Sequence, residues 1–370
     1  MITFDSVSKQ FPDGTVAVHD LRFEAPTGKI TVFVGPSGCG KTTTLRMINR
    51  MAEPTSGRIL IDGEDTAQLD PAQLRRDIGY VIQHGGLFPH RTVLDNITTV
   101  PRLLGEDRRS ARGRALELME RVGLDAGLAD RYPAQLSGGQ QQRVGVARAL
   151  AADPPIMLMD EPFSAVDPIV REQLQDEFLR LQSELGKTIV FVTHDVDEAI
   201  KLGDQVAVFA VGGVLAQLDT PDQLLDNPAD DFVADFVGHD RGFRALGFTS
   251  AHVPVVPAPT VRLGETPRPG PAWVVVLDEH DRPLGWVEPH RIDGPVTSPV
   301  VHRGSTVAQV DGPLRGQLDA ALSSPTGRGL VVGADGRFAG TVRAGNVLQV
   351  IEEARREHLA AQRADAGATP

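Results

Sequence analysis

The chain holds one cysteine, two tryptophans and two tyrosines in 370 residues, and aromatic side chains make up only 5% of it. A single cysteine cannot close an internal disulfide, so a stapled secreted scaffold is excluded and a reducing compartment is expected. Long apolar runs are also missing. The longest nearly uncharged stretch runs from Ala207 to Leu218, short of the roughly 18 residues that a membrane helix needs. The opening MITFDSVSKQ has no basic segment followed by an apolar run, the pattern that marks a signal peptide. Net positive charge is absent too. The formal charge is −12, which argues against a nucleic-acid partner, whose binding protein would carry a basic footprint. What survives is a soluble, intracellular chain of two or three domains at about 150 residues each.

Lysine is missing from residues 239–370, which hold 14 arginines and 14 acids, so the net charge lies entirely on residues 1–238. Composition therefore divides the chain near residue 238. His252 to Pro271 contains six prolines, too many for a helix or a central strand, so residues 239–271 read as an extended linker. Residues 272–358 read as a small second domain and 359–370 as a disordered tail.

Ile30–Val34 is a β-rich run followed by a glycine-rich turn and the helix-compatible TTTLRMINR. Ile156–Met159 and Thr188–Val192 are short continuous apolar runs, as expected of strands buried on both faces of a parallel sheet. Arg171–Leu185 between them has helical spacing, and Arg109–Val122 and Gln141–Ala152 read as further helices. Strands alternating with helices indicate an α/β core. In the second domain, WVVVLDEHDRPLGWV from Trp273 and LVVGADGRFAGTV from Leu330 form a weak internal repeat: strand, acidic or glycine turn, then Gly-x-Val. Leu318–Leu322 reads as a helix leading into the second copy and Val347–His358 as one following it.

Three motifs carry chemistry. Gly35-Pro-Ser-Gly-Cys-Gly40-Lys41-Thr42 is a complete GxxxxGK[ST] between a strand and a helix. Its glycines let backbone N–H groups turn toward phosphate oxygens, and the helix N-terminus adds positive potential. Lys41 would reach the outer phosphates and Thr42 a Mg²⁺ ion. Ile156-Met-Leu-Met-Asp160-Glu161 is a buried strand ending in two carboxylates. Asp160 suits the metal shell and Glu161 the polarisation of an attacking water. Leu136-Ser137-Gly138-Gly139-Gln140 stands directly before a helix and makes a second anion-binding N-terminus. Two phosphate-grade helix ends with one lysine-bearing loop are both used if two copies sandwich each nucleotide head to tail.

The order of this P-loop, Gln83, LSGGQ, Asp160-Glu161, Ser164-Ala-Val-Asp167 and His194 resembles the nucleotide-binding subunit of an ABC transporter, over residues 1 to about 238. The resemblance implies an α/β fold of the P-loop NTPase class, with a mixed sheet core and a helical subdomain over about 88–155. It implies ATP held by Phe11 (against adenine), Gly35, Pro36, Ser37, Gly38, Cys39, Gly40, Lys41, Thr42 and Thr43. Ser137, Gly138, Gly139, Gln140 and Asp167 would reach it from the opposite subunit. Glu161, His194, Gln83 and Lys41 would be catalytic, and Thr42, Gln83 and Asp160 would hold Mg²⁺. Val166 stands where most of the family has leucine. His84 and His90 read as surface or packing residues, and Cys39 as a small space-filler.

The runs GPSGCGKTTTLRMINR, GYVIQHGGLFPHRTVLDNI and LSGGQQQRVGVARALAADPP are similar to ATPases of quaternary-amine importers, which take up glycine betaine, carnitine, choline or proline. That resemblance implies a homodimer on the cytoplasmic face of the membrane, membrane permease subunits and, indirectly, an extracytoplasmic solute-binding protein. In those importers a pair of CBS modules often follows the ATPase, and the two strand–turn–strand copies resemble diverged halves of such a pair. The alternatives are an importer of another small solute, a soluble ABC ATPase without a membrane partner, and a regulatory module served by the cassette.

Overall fold

The computed structural model describes residues 1–82, 86–164, 166–353 and 356, apart from the side chain of Ile169. Contacts divide the chain between Gly238 and His239 into two units. Among the described residues no helix is long and apolar enough to cross a membrane.

In the first unit, β1 (Ile2–Gln10), β2 (Val16–Ala25), β4 (Ser56–Ile61) and β5 (Glu64–Asp65) form an antiparallel sheet in the order β2-β1-β4-β5. A six-stranded sheet is built from β3 (Ile30–Val34), β6 (Ile78–Val81), β7 (Ile156–Asp160), β8 (Thr188–Val192), β9 (Gln205–Ala210) and β10 (Val214–Asp219). Its order is β10-β9-β3-β8-β7-β6, parallel except for the edge strand β10. Every residue of β3, β7 and β8 is buried. That is why these strands are unbroken apolar runs and not alternating ones.

Aromatic packing locks the two sheets together. Phe4 stacks on Phe23 at 4.4 Å, and Phe33 of β3 meets Phe23 edge-on at 5.6 Å and Phe209 of β9 at 5.2 Å. The helices that matter for the site are α1 (Lys41–Ile48), α2 (Gly138–Leu150), α3 (Pro168–Leu185) and α4 (Val196–Leu202). Between β6 and β7, the helices Val93–Ile97, Thr99–Leu103 and Arg108–Arg121 precede α2.

The second unit contains two three-stranded sheets of identical plan. β11 (Thr260–Arg262) lies parallel to β12 (Val274–Leu277), which pairs antiparallel with β13 (Pro283–Val287). β14 (Val307–Gln309), β15 (Arg328–Val332) and β16 (Phe338–Arg343) repeat the pattern. The registers correspond: Val261 opposes Val276, which opposes Gly285, and Ala308 opposes Val331, which opposes Gly340. Both glycines have positive φ, +139° and +150°. A Cβ on Gly285 would stand 2.2 Å from the His302 carbonyl oxygen, and one on Gly340 2.9 Å from that of Val256. These close approaches serve equivalent bridges, Trp286 with His302 and Thr341 with Val256. Each strand after the glycine thus pairs with the segment that precedes the other copy.

The copies differ in one element. Helix α5 (Leu314–Ser323) joins β14 to β15, whereas no helix stands between β11 and β12. Residues 344–353 are helical. The end of the helix expected over Val347–His358 and the tail expected over 359–370 lie outside the described residues.

The stretch 239–271, expected to be a linker, is part of the second unit. Arg241–Ala245 is a helical turn, Val253 packs with Leu314 and Val331, and β11 is a strand of the first sheet. Pro257 and Pro259 precede a three-residue edge strand, where a missing N–H costs no ladder bond. Trp286 is buried with Val275, Leu277 and Leu330, and Trp273 lies half-buried against His302.

Candidate functional site

The C-terminal ends of β3, β7 and β8 converge, the usual place for a ligand on a parallel sheet. The Glu161 N–H donates to the Val192 carbonyl at 2.9 Å and the Thr193 N–H to the Phe33 carbonyl at 3.0 Å. β3 runs straight into the glycine loop, and α1 starts at Lys41. Its N-cap is Gly40, which provides no side-chain cap and leaves the first helical amides open to a ligand. Gly40 has φ +96°, and a Cβ there would stand 2.1 Å from the Ala17 carbonyl oxygen.

Lys41 is 7% exposed. Its Nζ donates to the carbonyls of Gly35 (2.7 Å) and Pro36 (2.9 Å) and stands 3.6 Å from Cys39 Sγ. The ammonium therefore sits over the loop, satisfied by carbonyls that phosphate oxygens can replace. Thr42 Oγ1 donates to Asp160 Oδ1 at 3.0 Å. Asp160 is buried, and burial pushes its carboxyl pKa up, opposed by the Thr42 hydroxyl and the Arg46 charge and assisted by Glu161.

That shift has a sign that can be tested without ligand. A carboxyl whose pKa is raised on folding contributes stability below the unfolded value, 3.8 for aspartate, and loses it as pH rises through the folded value. In EDTA and without nucleotide, Asp160→Asn should unfold at a higher temperature than the unmodified chain at neutral pH. The advantage should fade as pH falls toward the ordinary carboxylate value. A thermal melt series that is parallel for the two proteins contradicts the shift.

Glu161 adopts φ +46°, uncommon for a residue with a side chain. Its carbonyl accepts from Ser164 Oγ at 2.9 Å, and its Oε1 lies 3.2 Å from His194 Nδ1. A cavity of about 550 Å³ unites Phe11, Ser37, Gly38, Cys39, Gly40, Lys41, Thr42, Thr43, Glu161 and His194. Phe11 is 40% exposed, with Lys9 Nζ 5.5 Å from its ring centre. Thr15, Val16 and Ala17 also line the cavity and were not among the expected residues. The turn Pro12-Asp13-Gly14 after Phe11 is the signal that could have found them, since it folds β2 back beside β1.

Ser137, Gly138, Gly139, Gln140 and Asp167 do not line this cavity. Ser137 caps α2 reciprocally with Gln140: the Gln140 N–H donates to Ser137 Oγ at 3.3 Å and the Ser137 N–H to Gln140 Oε1 at 2.9 Å. Ser137 and Gly138 are exposed, as is Asp167, just before α3. Gln83 and His84 lie outside the described residues.

The donor set fits a small hard cation. Thr42 and Asp160 offer two oxygens beside the loop, and the penalty on the buried Asp160 carboxylate is the kind a divalent ion relieves. Among the described residues there is no cluster of three or more His, Cys, Asp or Glu able to enclose a metal. Mg²⁺, which keeps waters and shares phosphate oxygens, suits so open a site.

The family model described as "ABC transporter" matches residues 18–164. The osmoprotectant import ATP-binding protein OsmV of Salmonella typhimurium is 44% identical over 360 residues, spanning 92% of this chain and 94% of that protein. The choline transport ATP-binding protein OpuBA of Bacillus subtilis is 54% identical over 241 residues, 65% of this chain and 63% of that one. The match thus spans less than two thirds of the Bacillus protein. Among solved structures, a dimeric bacterial ABC transporter cassette is similar at TM-score 0.55 and 35% identity, covering 60% of this chain and 99% of that one. A dimeric ATP-binding cassette in a post-hydrolysis state with ADP and Pi matches at TM-score 0.54 and 34% identity, with the same coverage.

Proposed function

Because the chain belongs to the ABC transporter family of ATP-binding proteins, we propose that it is the ATP-hydrolysing subunit of an importer for a quaternary-amine osmoprotectant. The observation that carries this reading is the convergence of Lys41, Thr42, Glu161 and His194 on one cavity, with Ser137–Gln140 outside it. The loop amides and Lys41 bind the phosphates of ATP, and Phe11 packs on the base. Thr42 and Asp160, with Gln83, would hold Mg²⁺, which would supply neutralisation of phosphate charge. Glu161 accepts a proton from the water that attacks the γ-phosphorus as the bond to the β–γ bridging oxygen breaks and ADP leaves, and His194, positioned by Glu161, donates a hydrogen bond to the γ-phosphate.

The other half of each site comes from a second copy. Ser137, Gly138, Gly139 and Gln140 present a helix N-terminus, suited to the γ-phosphate of ATP held in the opposite subunit. Asp167, exposed just before α3, would reach the same junction. ATP binding closes the dimer, hydrolysis opens it, and Gln83 passes the change to permease subunits on the cytoplasmic face of the membrane. An extracytoplasmic binding protein delivers the solute. The second unit, with its doubled β-β-β plan running from β11 to β16, fits a diverged CBS-like pair with a regulatory role.

Relatives named for osmoprotectant and choline transport support the solute class. The test is ATPase activity of the chain co-purified with its permease, measured with binding protein and glycine betaine, choline, carnitine or proline. Stimulation by at least one of them is expected. A complex that ignores all of them overturns the solute reading, and failure to co-purify with any permease overturns the transport reading.

A further inference from the structure

Beside the Glu161–His194 pair lies a second, smaller space of about 40 Å³, lined in part by Arg171, Thr193, Asp195 and Glu198. Glu198, on α4, is 6% exposed and has no part in the chemistry above. A buried carboxylate is costly unless hydrogen-bonded. Here Gln175 Nε2, from the buried face of α3, donates to Glu198 Oε1 at 3.0 Å. Burial raises the carboxyl's pKa, while the Thr193 hydroxyl, Gln175 and the Arg171 charge favour its ionised form.

Thr193 and Asp195 flank His194, and both are tied down. Thr193 Oγ1 accepts from the Asp195 N–H at 3.0 Å, and Asp195 Oδ1 caps α4 by accepting from the N–H groups of Asp197 and Glu198. The His194 side chain itself is 62% exposed, so packing does little to fix its ring. Its orientation depends on its contact with Glu161 and on the turn that carries it.

We propose that Glu198 is a positioning residue for the hydrolytic step. Accepting from Gln175 and sharing with Thr193 the small space that both line, it fixes the 193–195 turn so that His194 stands against Glu161. This inference rests on the assignment of Glu161 and His194 to hydrolysis.

Steady-state ATPase assays of the full chain test it, with Glu198→Ala, Glu198→Gln, Gln175→Ala and the double Ala variant, and Glu161→Gln as control. Glu198→Ala should lower kcat roughly tenfold with KM for ATP nearly unchanged, because misplacing a reacting group weakens the chemical step without weakening binding. Glu198→Gln keeps an oxygen for Gln175 and should recover most of the rate. Gln175→Ala should also lower kcat, and the double variant should be no slower than Glu198→Ala alone. A normal kcat in Glu198→Ala, a KM effect in place of a kcat effect, or a Glu198→Gln as slow as Ala overturns the proposal. If Glu198→Ala does not fold, a normal kcat in Gln175→Ala overturns it. Normal turnover by Glu161→Gln would instead overturn the hydrolytic assignment itself.

Discussion

Glu161→Gln should reduce ATP turnover by about 10²–10⁴-fold, the usual worth of a general base, while ATP still binds. The substitution keeps the size of the side chain and removes its basicity. The amide retains an oxygen to accept from His194, which now stands 3.2 Å away, so the geometry of the pair is preserved. Neither Lys41 nor Thr42 depends on Glu161 for its contacts; they bond to the loop carbonyls and Asp160. Binding and hydrolysis should therefore separate cleanly. Single-turnover hydrolysis and equilibrium binding of a fluorescent ATP analogue measure the two. A variant that hydrolyses ATP at the unmodified rate removes Glu161 from the mechanism.

Gly40→Ala should abolish nucleotide binding and lower stability, although it adds a single methyl group. The left-handed conformation at φ +96° costs a side-chain-bearing residue about 1–3 kcal/mol. The added Cβ would also stand 2.1 Å from the Ala17 carbonyl oxygen, a backbone atom that cannot rotate away. Either β2 or the loop must shift, and both line the nucleotide cavity. Gly38→Ala is the control. That glycine has φ +79° but open space around its Cβ position, so it should suffer the strain without the collision and keep more of its binding. Equal loss of binding in the two variants would show that the close approach of Ala17 is unimportant.

The parts of the site that follow one another in the chain were legible in the sequence. The loop from Gly35 to Thr42 lies between a strand and a helix that each announce themselves, so the role proposed for it as a phosphate cradle needs no tertiary information. Asp160 and Glu161 were placed by the same logic at a strand end. The partnership of Glu161 with His194 follows only from β7 lying beside β8, and spacing does not disclose strand order. The Glu198–Gln175 link was missed for a similar reason. A glutamate in the first turn of a helix reads as ordinary favourable placement against the dipole, and only the fold buries it. Proline content misled over 239–271, because prolines that flank a short edge strand leave its pairing intact. The shared site proposed for two copies rests on Ser137–Gln140, since two phosphate-grade helix ends ask for one nucleotide between them.

The mass in solution of the Glu161→Gln chain, with and without ATP and Mg²⁺, tests that shared site most directly. A monomer without nucleotide that becomes a dimer holding two ATP molecules is the predicted result, reversed by adding Ser137→Arg to the same chain. A chain that binds ATP fully and stays monomeric, or that dimerises as well with Ser137→Arg as without it, would contradict a site completed by the second copy.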